Sequence, residues 1–369
     1  RSNAHILAVT GSAGKTTTKE ILRLACNALG RTHASNASYN NHWGVPLSLA
    51  GLPRDAEYGV FEVGMNHFGE LRALTGLVRP HVALITTVAS AHLEFFGNAE
   101  SIADAKSEIF EGLVPGGTAV IPADNVHAGR LIARARQAQV ARVVTFGKAG
   151  EARLLSFAPD GAGLRVKADI LGVQVDCLVG APGAHIAANV VGALAAVALV
   201  GGDVLNAAAA LKDFTALKGR GDRFQTAGID VIDESYNANP ASMAAALALL
   251  GDAKGRKIAV LDSMLEMGEG ADAHHAGLID PIRANKVDLV FATGAEMAAL
   301  WREVPAVLRG GFADTSAQLL PLLEKALRPG DTVLVKGSNG ARMSIVITGL
   351  KARQDTHHQS AHHRKGGGL

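Results

Sequence analysis

The residues most able to do chemistry stand at the start of the chain. "TGSAGKTT" (10–17) sets Gly11, Ser12, Ala13, Gly14, Lys15, Thr16 and Thr17 directly after the apolar run "ILAV" (6–9). Glycines let the backbone curl until its N–H groups face one point, and a helix that starts there adds the partial positive charge of its N-terminus. That is phosphate chemistry. A Lys15 ammonium would neutralise the outer phosphates, and the Thr16 hydroxyl is a hard oxygen suited to Mg²⁺. The spacing is G-x-x-G-K-T, two residues shorter than the widespread G-x-x-x-x-G-K-[ST] loop, which would need a glycine where Val9 stands.

Other candidates follow runs that read as strands. Glu62, in "FEVGMNHFGEL" (61–71), ends such a run and would hold Mg²⁺ opposite Thr16 or cap the next helix; Glu70 fits the capping role better. In "TTVASAHLEFFGNAESIADAKSEIF" (86–110), His92 follows another strand end, and Lys106 shares a helix face with Ile102, Ile109 and Phe110. Taken alone, His92 reads as loop surface and Lys106 as a lysine whose stem covers apolar surface while its head stays in water. Asn189, one turn from His185, would read an adenine edge or pack a helix. Asp233 and Asn237 in "IDESYNANPASM" precede a helix opening at Pro240. Lys336 in "LVKGSNGARM" ends a strand, and Gly337 and Gly340 permit close approach of a ligand.

The elements that must position these residues alternate. Strands are expected at 6–9, 58–63, 82–88, 118–121 and 142–146, with helices at 16–29, 99–113 and 127–138 between them. Apolar strands separated by helices indicate a parallel sheet covered on both faces. The stretch 151–180 breaks the rhythm and reads as antiparallel strands of a small flanking sheet, followed by an Ala-rich helix over 183–202. A second alternation has strands at 229–234, 257–262, 287–292 and 331–335, with helices at 240–250, 272–285, 315–327 and 340–350. "LKGRGDRF" (217–224) has linker chemistry, which places a boundary near 218.

Composition narrows the function. With 48% hydrophobic and 19% charged residues the chain is an ordinary soluble one, and a net charge of +2 argues against a nucleic-acid surface. No apolar run reaches the ~18 residues that would span a bilayer, so membrane insertion is not expected. Cys26 and Cys177 make neither a disulfide framework nor a CxxC metal site, which fits a cytoplasmic protein.

With these elements in order, the chain resembles the Mur ligase family. The resemblance rests on "VTGSAGKTTTKE", "NNHWGVPLSLA", "FEVGMNHFGEL", "AHLEFFG", "IADAKSEIF", "IPADN", "DESYNANPASM", "MLEMGE" and "VKGSNGARM", and runs from about Ile6 to Leu350. Within the family it is most similar to the type that joins D-alanyl-D-alanine to UDP-MurNAc-tripeptide. The resemblance implies a central P-loop ATPase-like domain (5–217), mostly parallel with a small antiparallel flank. A Rossmann-like α/β domain (218–352) and a disordered tail (353–369) would follow. It implies that ATP phosphorylates the tripeptide carboxylate and that the dipeptide amine attacks the acyl phosphate. Residues 11–17 would hold the triphosphate, and Thr16 and Glu62 one Mg²⁺. His92 would help bind a second Mg²⁺, and Lys106 matches a lysine carbamylated in several members. Asn189 would contact adenine. Arg220, Asp233 and Asn237 would reach ATP when the second domain closes, and Lys336 and Ser338 would lie near the acceptor. A monomer is implied, and so is the lack here of the N-terminal domain that grips UDP.

The sequence also departs from the family pattern: Asp262-Ser263 stands where Gly-Asp is common, Ile186 where Asn is, and Ser344 where Glu is frequent. Two other readings remain open. A folylpolyglutamate synthase-like ligase would share the loop but take glutamate. A P-loop protein without ligase activity would lack an acceptor domain.

Overall fold

The computed structural model describes residues 2–90 and 93–363, with side chains as far as Arg353. The chain divides into two compact units, Arg1–Thr215 and Ala216–Leu369.

The first unit is built on β1 (His5–Thr10), β2 (Thr32–Ala34), β3 (Tyr58–Glu62), β4 (Val82–Ile85), β5 (Thr118–Pro122), β6 (Arg142–Gly147), β7 (Ala152–Asp160), β8 (Gly163–Ile170) and β9 (Val173–Val179). They form one sheet in the order β2-β3-β1-β4-β5-β6-β7-β8-β9. The ladders are parallel from β2 to β7 and antiparallel from β7 to β9. The central strands are buried along their length, Leu7 to Val9 and Val82 to Ile85 among them, because helices cover both faces. The antiparallel flank is continuous with the main sheet, joined through Phe146↔Ala152 and Gly147↔Arg153.

Chain order reverses at β1, which lies between β3 and β4. The crevice outside the carboxyl ends of strands at such a reversal is where open α/β sheets take ligands. Strand β4 stops at Ile85, short of the expected 88, because Thr86–Ala89 turns aside to hold the glycine loop, as described below. The Ala-rich helix Ala184–Leu199 is apolar almost all round and is buried against helix Lys15–Asn27 and strands β4 to β8.

The second unit has β10 (Asp222–Thr226), β11 (Ile229–Glu234), β12 (Arg256–Asp262), β13 (Leu289–Thr293), β14 (Arg309–Ala313) and β15 (Asp331–Lys336). Their order is β10-β11-β15-β12-β13-β14, parallel except for β10 at the edge. Ile229, Val231, Ile258, Val260, Phe291, Val333 and Val335 form its core with Leu319, Leu323 and Val346. Strands β10 and β14 were not expected: one is charged, and the other carries Gly310-Gly311, which weakens a strand pattern. The single helix expected over 272–285 is two, Ala271–Ala276 and Ile279–Ala284, interrupted at Gly277, a poor helix former. The last helix, Ser344–His363, runs on into the segment read as an irregular tail; no Gly or Pro lies between Leu350 and His363 to stop it.

Candidate active site

In the first unit the glycine loop leaves β1 and opens helix Lys15–Asn27. Gly14 caps that helix at φ 79°, and a Cβ there would lie 2.9 Å from Asn189 Nδ2. Gly11 has φ 153°, and a Cβ would collide with Thr86 Oγ1 at 1.8 Å. Both positions therefore require glycine. The segment after β4 pins the loop. Thr86 Oγ1 donates to the Ala13 carbonyl (2.6 Å), Ser12 N donates to Thr87 O (2.9 Å), and Ser12 Oγ donates to Ala89 O (2.9 Å). Asn125, from "IPADN", holds that segment in turn by donating to Thr87 Oγ1 and Val88 O. Lys15 Nζ donates to Gly11 O at 2.8 Å, so its ammonium lies over the loop.

Glu62 ends β3 beside Val9 and is 1% exposed. Its Oε1 accepts from Asn40 Nδ2 at 2.7 Å, whereas Oε2 is buried with no hydrogen-bond partner. Thr16 Oγ1 is likewise buried without a partner. Thr10 Oγ1 and Thr18 Oγ1 are orphaned as well; of the four in this unit, Glu62 Oε2 stands at the carboxyl end of β3 and Thr16 Oγ1 in the first turn of the loop's helix, the two places from which a hard cation at the loop would be served. Among the described residues no set of three His, Cys, Asp or Glu converges as a metal cage.

Lys106 lies in the last turn of helix Ala99–Ser107 and is 2% exposed, so it does not snorkel as a surface lysine would. Burial, then the charge of Lys15, pushes its pKa well below the usual lysine value. His92 lies outside the described residues. The Asn189 side chain is buried against Gly14.

In the second unit the candidates gather at the carboxyl edge of β11 and β15, where Glu234 pairs in register with Lys336. Arg220 lies 3.9 Å over the Tyr236 ring. The Asp233 carboxylate accepts from Gly219 N (3.2 Å), Ser235 N (3.1 Å) and Ser235 Oγ (2.6 Å), which fixes the turn that presents Arg220. Lys336 is 1% exposed; its Nζ donates to the Asn237 carbonyl (2.8 Å) and faces Glu234 at 3.4 Å. Burial lowers its pKa, opposed by Glu234. Ser338 Oγ donates to Ser263 O (2.9 Å) and accepts from Leu265 N (3.0 Å). The side chain of Asn237 is exposed, while Asp233, Lys336 and Ser338 are buried with partners inside their own unit.

Two family models match the chain: the Mur ligase middle domain over residues 9–197 and the Mur ligase glutamate ligase domain over 219–339. The UDP-N-acetylmuramoyl-tripeptide–D-alanyl-D-alanine ligase of Escherichia coli is 33% identical, over 94% of this chain and 77% of its own length. That of Rickettsia prowazekii is 30% identical, over 94% and 78%. This chain belongs to the Mur ligase family. The crystal structure of an Acinetobacter baumannii MurF superposes with a TM-score of 0.88 at 29% identity, covering 94% of this chain and 76% of that one.

The structure of this Mur ligase brings residues 11–17, Glu62, Lys106 and Asn189 to one region of the first unit, and Arg220, Asp233, Asn237, Lys336 and Ser338 to one edge of the second. Reading the sequence missed Lys19, Asn40, Thr86 and Asn125. Lys19, Asn40 and Asn125 stand in motifs that carry the resemblance, but nothing in their spacing shows which groups they would hold.

The departure at Asp262 has a physical consequence in this Mur ligase. Asp262 is buried between Gly294 and Gly337, where added Cβ atoms would lie 2.7 Å from it. Burial raises its pKa to about 6, against hydrogen bonds from Ser263 N and Ser316 Oγ. A raised carboxyl pKa means that the folded state binds more protons than the unfolded chain between about pH 4 and 6, so this group's contribution falls as pH rises through that window. Asp262→Asn stays neutral. Its unfolding free energy relative to the parent should rise by on the order of 2–3 kcal/mol from pH 4 to 7. Urea midpoints at both pH values measure this; a constant difference would remove the explanation.

Proposed function

We propose that this Mur ligase uses ATP to join D-alanyl-D-alanine to UDP-MurNAc-tripeptide through an acyl phosphate, in peptidoglycan precursor synthesis. The relatives above carry that activity in their names. Within the chain the observation that carries the reading is the pair of orphaned oxygens, Thr16 Oγ1 and Glu62 Oε2, beside a glycine loop crossed by Lys15.

The loop N–H groups, the N-terminus of helix Lys15–Asn27 and the Lys15 ammonium bind and orient the triphosphate. Thr16 and Glu62 fit Mg²⁺, which when bound neutralises charge between the phosphate oxygens and lets the substrate carboxylate approach. His92 is assigned to a second ion by resemblance. Lys106 is held in surroundings that favour a neutral amine, the form that reacts with CO₂ to give the carbamate expected there. Asn189, packed on Gly14, braces the loop as well as facing the nucleotide. In the second unit Asp233 shapes the turn that carries Arg220, and Lys336 holds the Asn237 segment; Arg220 and Asn237 are the groups offered to ATP. Lys336 and Ser338 thus serve the acceptor by fixing the backbone around it. Excluding water from the acyl phosphate favours amide over hydrolysis. Among the described residues no helix is long and apolar enough to cross a membrane. The enzyme works as a monomer in the cytoplasm.

The test is an ADP-release assay with UDP-MurNAc-tripeptide, with and without D-alanyl-D-alanine. ADP and the extended peptide should appear together only with both substrates. Steady release without either would favour a plain nucleotidase, and turnover with glutamate in place of the dipeptide would favour the folylpolyglutamate type.

A further inference from the structure

We propose that Lys19 is a positioning residue for the Glu62 carboxylate, acting through the irregular segment 35–41. The proposal rests on the reading above that Glu62 is a cation ligand. Lys19 lies on the helix that opens at Lys15, and it is fully buried. Its Nζ donates to the carbonyls of Ser35 and Ala37, each at 2.9 Å, and pairs with Glu20, which Arg23 braces at 2.6 Å. Burying an ammonium is costly, and an apolar side chain would fill the space more cheaply if packing were the only demand. The demand is geometric. Ala37 sits at φ 43°, a left-handed conformation that residues with a Cβ avoid, and Lys19 Nζ donates to the carbonyl that this turn presents.

What the turn delivers is a grip on both sides of Glu62. Ser35 N donates to Val60 O (2.9 Å), and Glu62 N donates to Ser35 Oγ (3.3 Å). Gly64 N donates to Asn40 O (2.8 Å), and a Cβ on Gly64 would lie 2.8 Å from Asn40 Cγ, so the Asn40 side chain is seated against the Gly64 backbone. Asn40 Nδ2 then takes Glu62 Oε1, which leaves Oε2 as the buried oxygen without a partner. Lys19 therefore locks the helix of the phosphate loop to the carboxylate that faces the same nucleotide. Cation loading should depend on it; nucleotide binding by itself should not.

The test uses Lys19→Met and Asn40→Ala in the full chain saturated with ADP, reading Mn²⁺ affinity from the electron paramagnetic resonance of the free ion. Both variants should bind Mn²⁺ about 10–100-fold more weakly. ADP affinity without divalent cation should be unchanged, and the double variant no weaker than the worse single one. Unchanged Mn²⁺ affinity in Lys19→Met or in Asn40→Ala would overturn the proposal, and Lys19→Gln takes the place of Lys19→Met under the same criterion if the latter does not fold. Loss of ADP and Mn²⁺ affinity together, in step with a lower melting temperature, would also overturn it. Glu62→Gln is the control: if its Mn²⁺ affinity is normal, the cation reading itself fails instead.

Discussion

Lys15→Met will lower ADP release by about 10²–10³-fold while the protein stays folded, the loss typical of removing one preorganised group from developing charge. Methionine keeps most of the stem and deletes the cation. The ammonium donates to the Gly11 carbonyl at 2.8 Å, so a group of the loop itself holds it at the loop. A second effect adds to the first. Lys15 is one of the two causes that hold the Lys106 pKa down, so its removal makes the cationic form of Lys106 easier to keep. Steady-state ADP release with both substrates, beside a thermal melt, measures both sides. Turnover within about tenfold of the parent, well short of that loss, would break the assignment of the loop.

Glu62→Gln will separate activity from stability in the opposite sense. The Glu62 carboxylate is buried, with Asn40 on one oxygen and no partner on the other, so its desolvation is only half offset. Glutamine keeps an acceptor for Asn40 and removes the charge. Unfolding free energy should not fall, because a neutral amide without a partner costs less to bury than a carboxylate without one. On the proposed reading of Glu62 as a cation ligand, activity should fall by about 10²–10³-fold. A variant that melts lower than the parent would show that the carboxylate serves the fold.

How far the site could be read in advance differs between the units. In the first, the loop and Glu62 stand where strand ends meet local motifs, and the structure finds them at one sheet edge. In the second, Asp233, Lys336 and Ser338 read as ligand-facing, yet their polar atoms are taken up by Gly219, Ser235, Asn237, Ser263 and Leu265. Type and spacing place a residue at the carboxyl end of a strand; they do not say whether a neighbouring backbone group will claim its side chain first. Lys106 shows the same limit from the other direction, because a helix pattern does not reveal that the ammonium is denied water.

By itself the sequence determined the alternation of strands and helices, the boundary region near 218 and the glycine loop between strand and helix at residues 11–17. All of these are local: apolar periodicity, glycine at positions that need it, and Lys-Thr at a helix start act within a few residues of one another. The tertiary structure alone decided that β1 lies between β3 and β4, that the antiparallel flank continues the main sheet, and that Asn40 and Lys19 serve Glu62. Those outcomes depend on which distant backbone groups come within hydrogen-bond reach once the two faces of the sheet are covered, and no spacing along one chain encodes that.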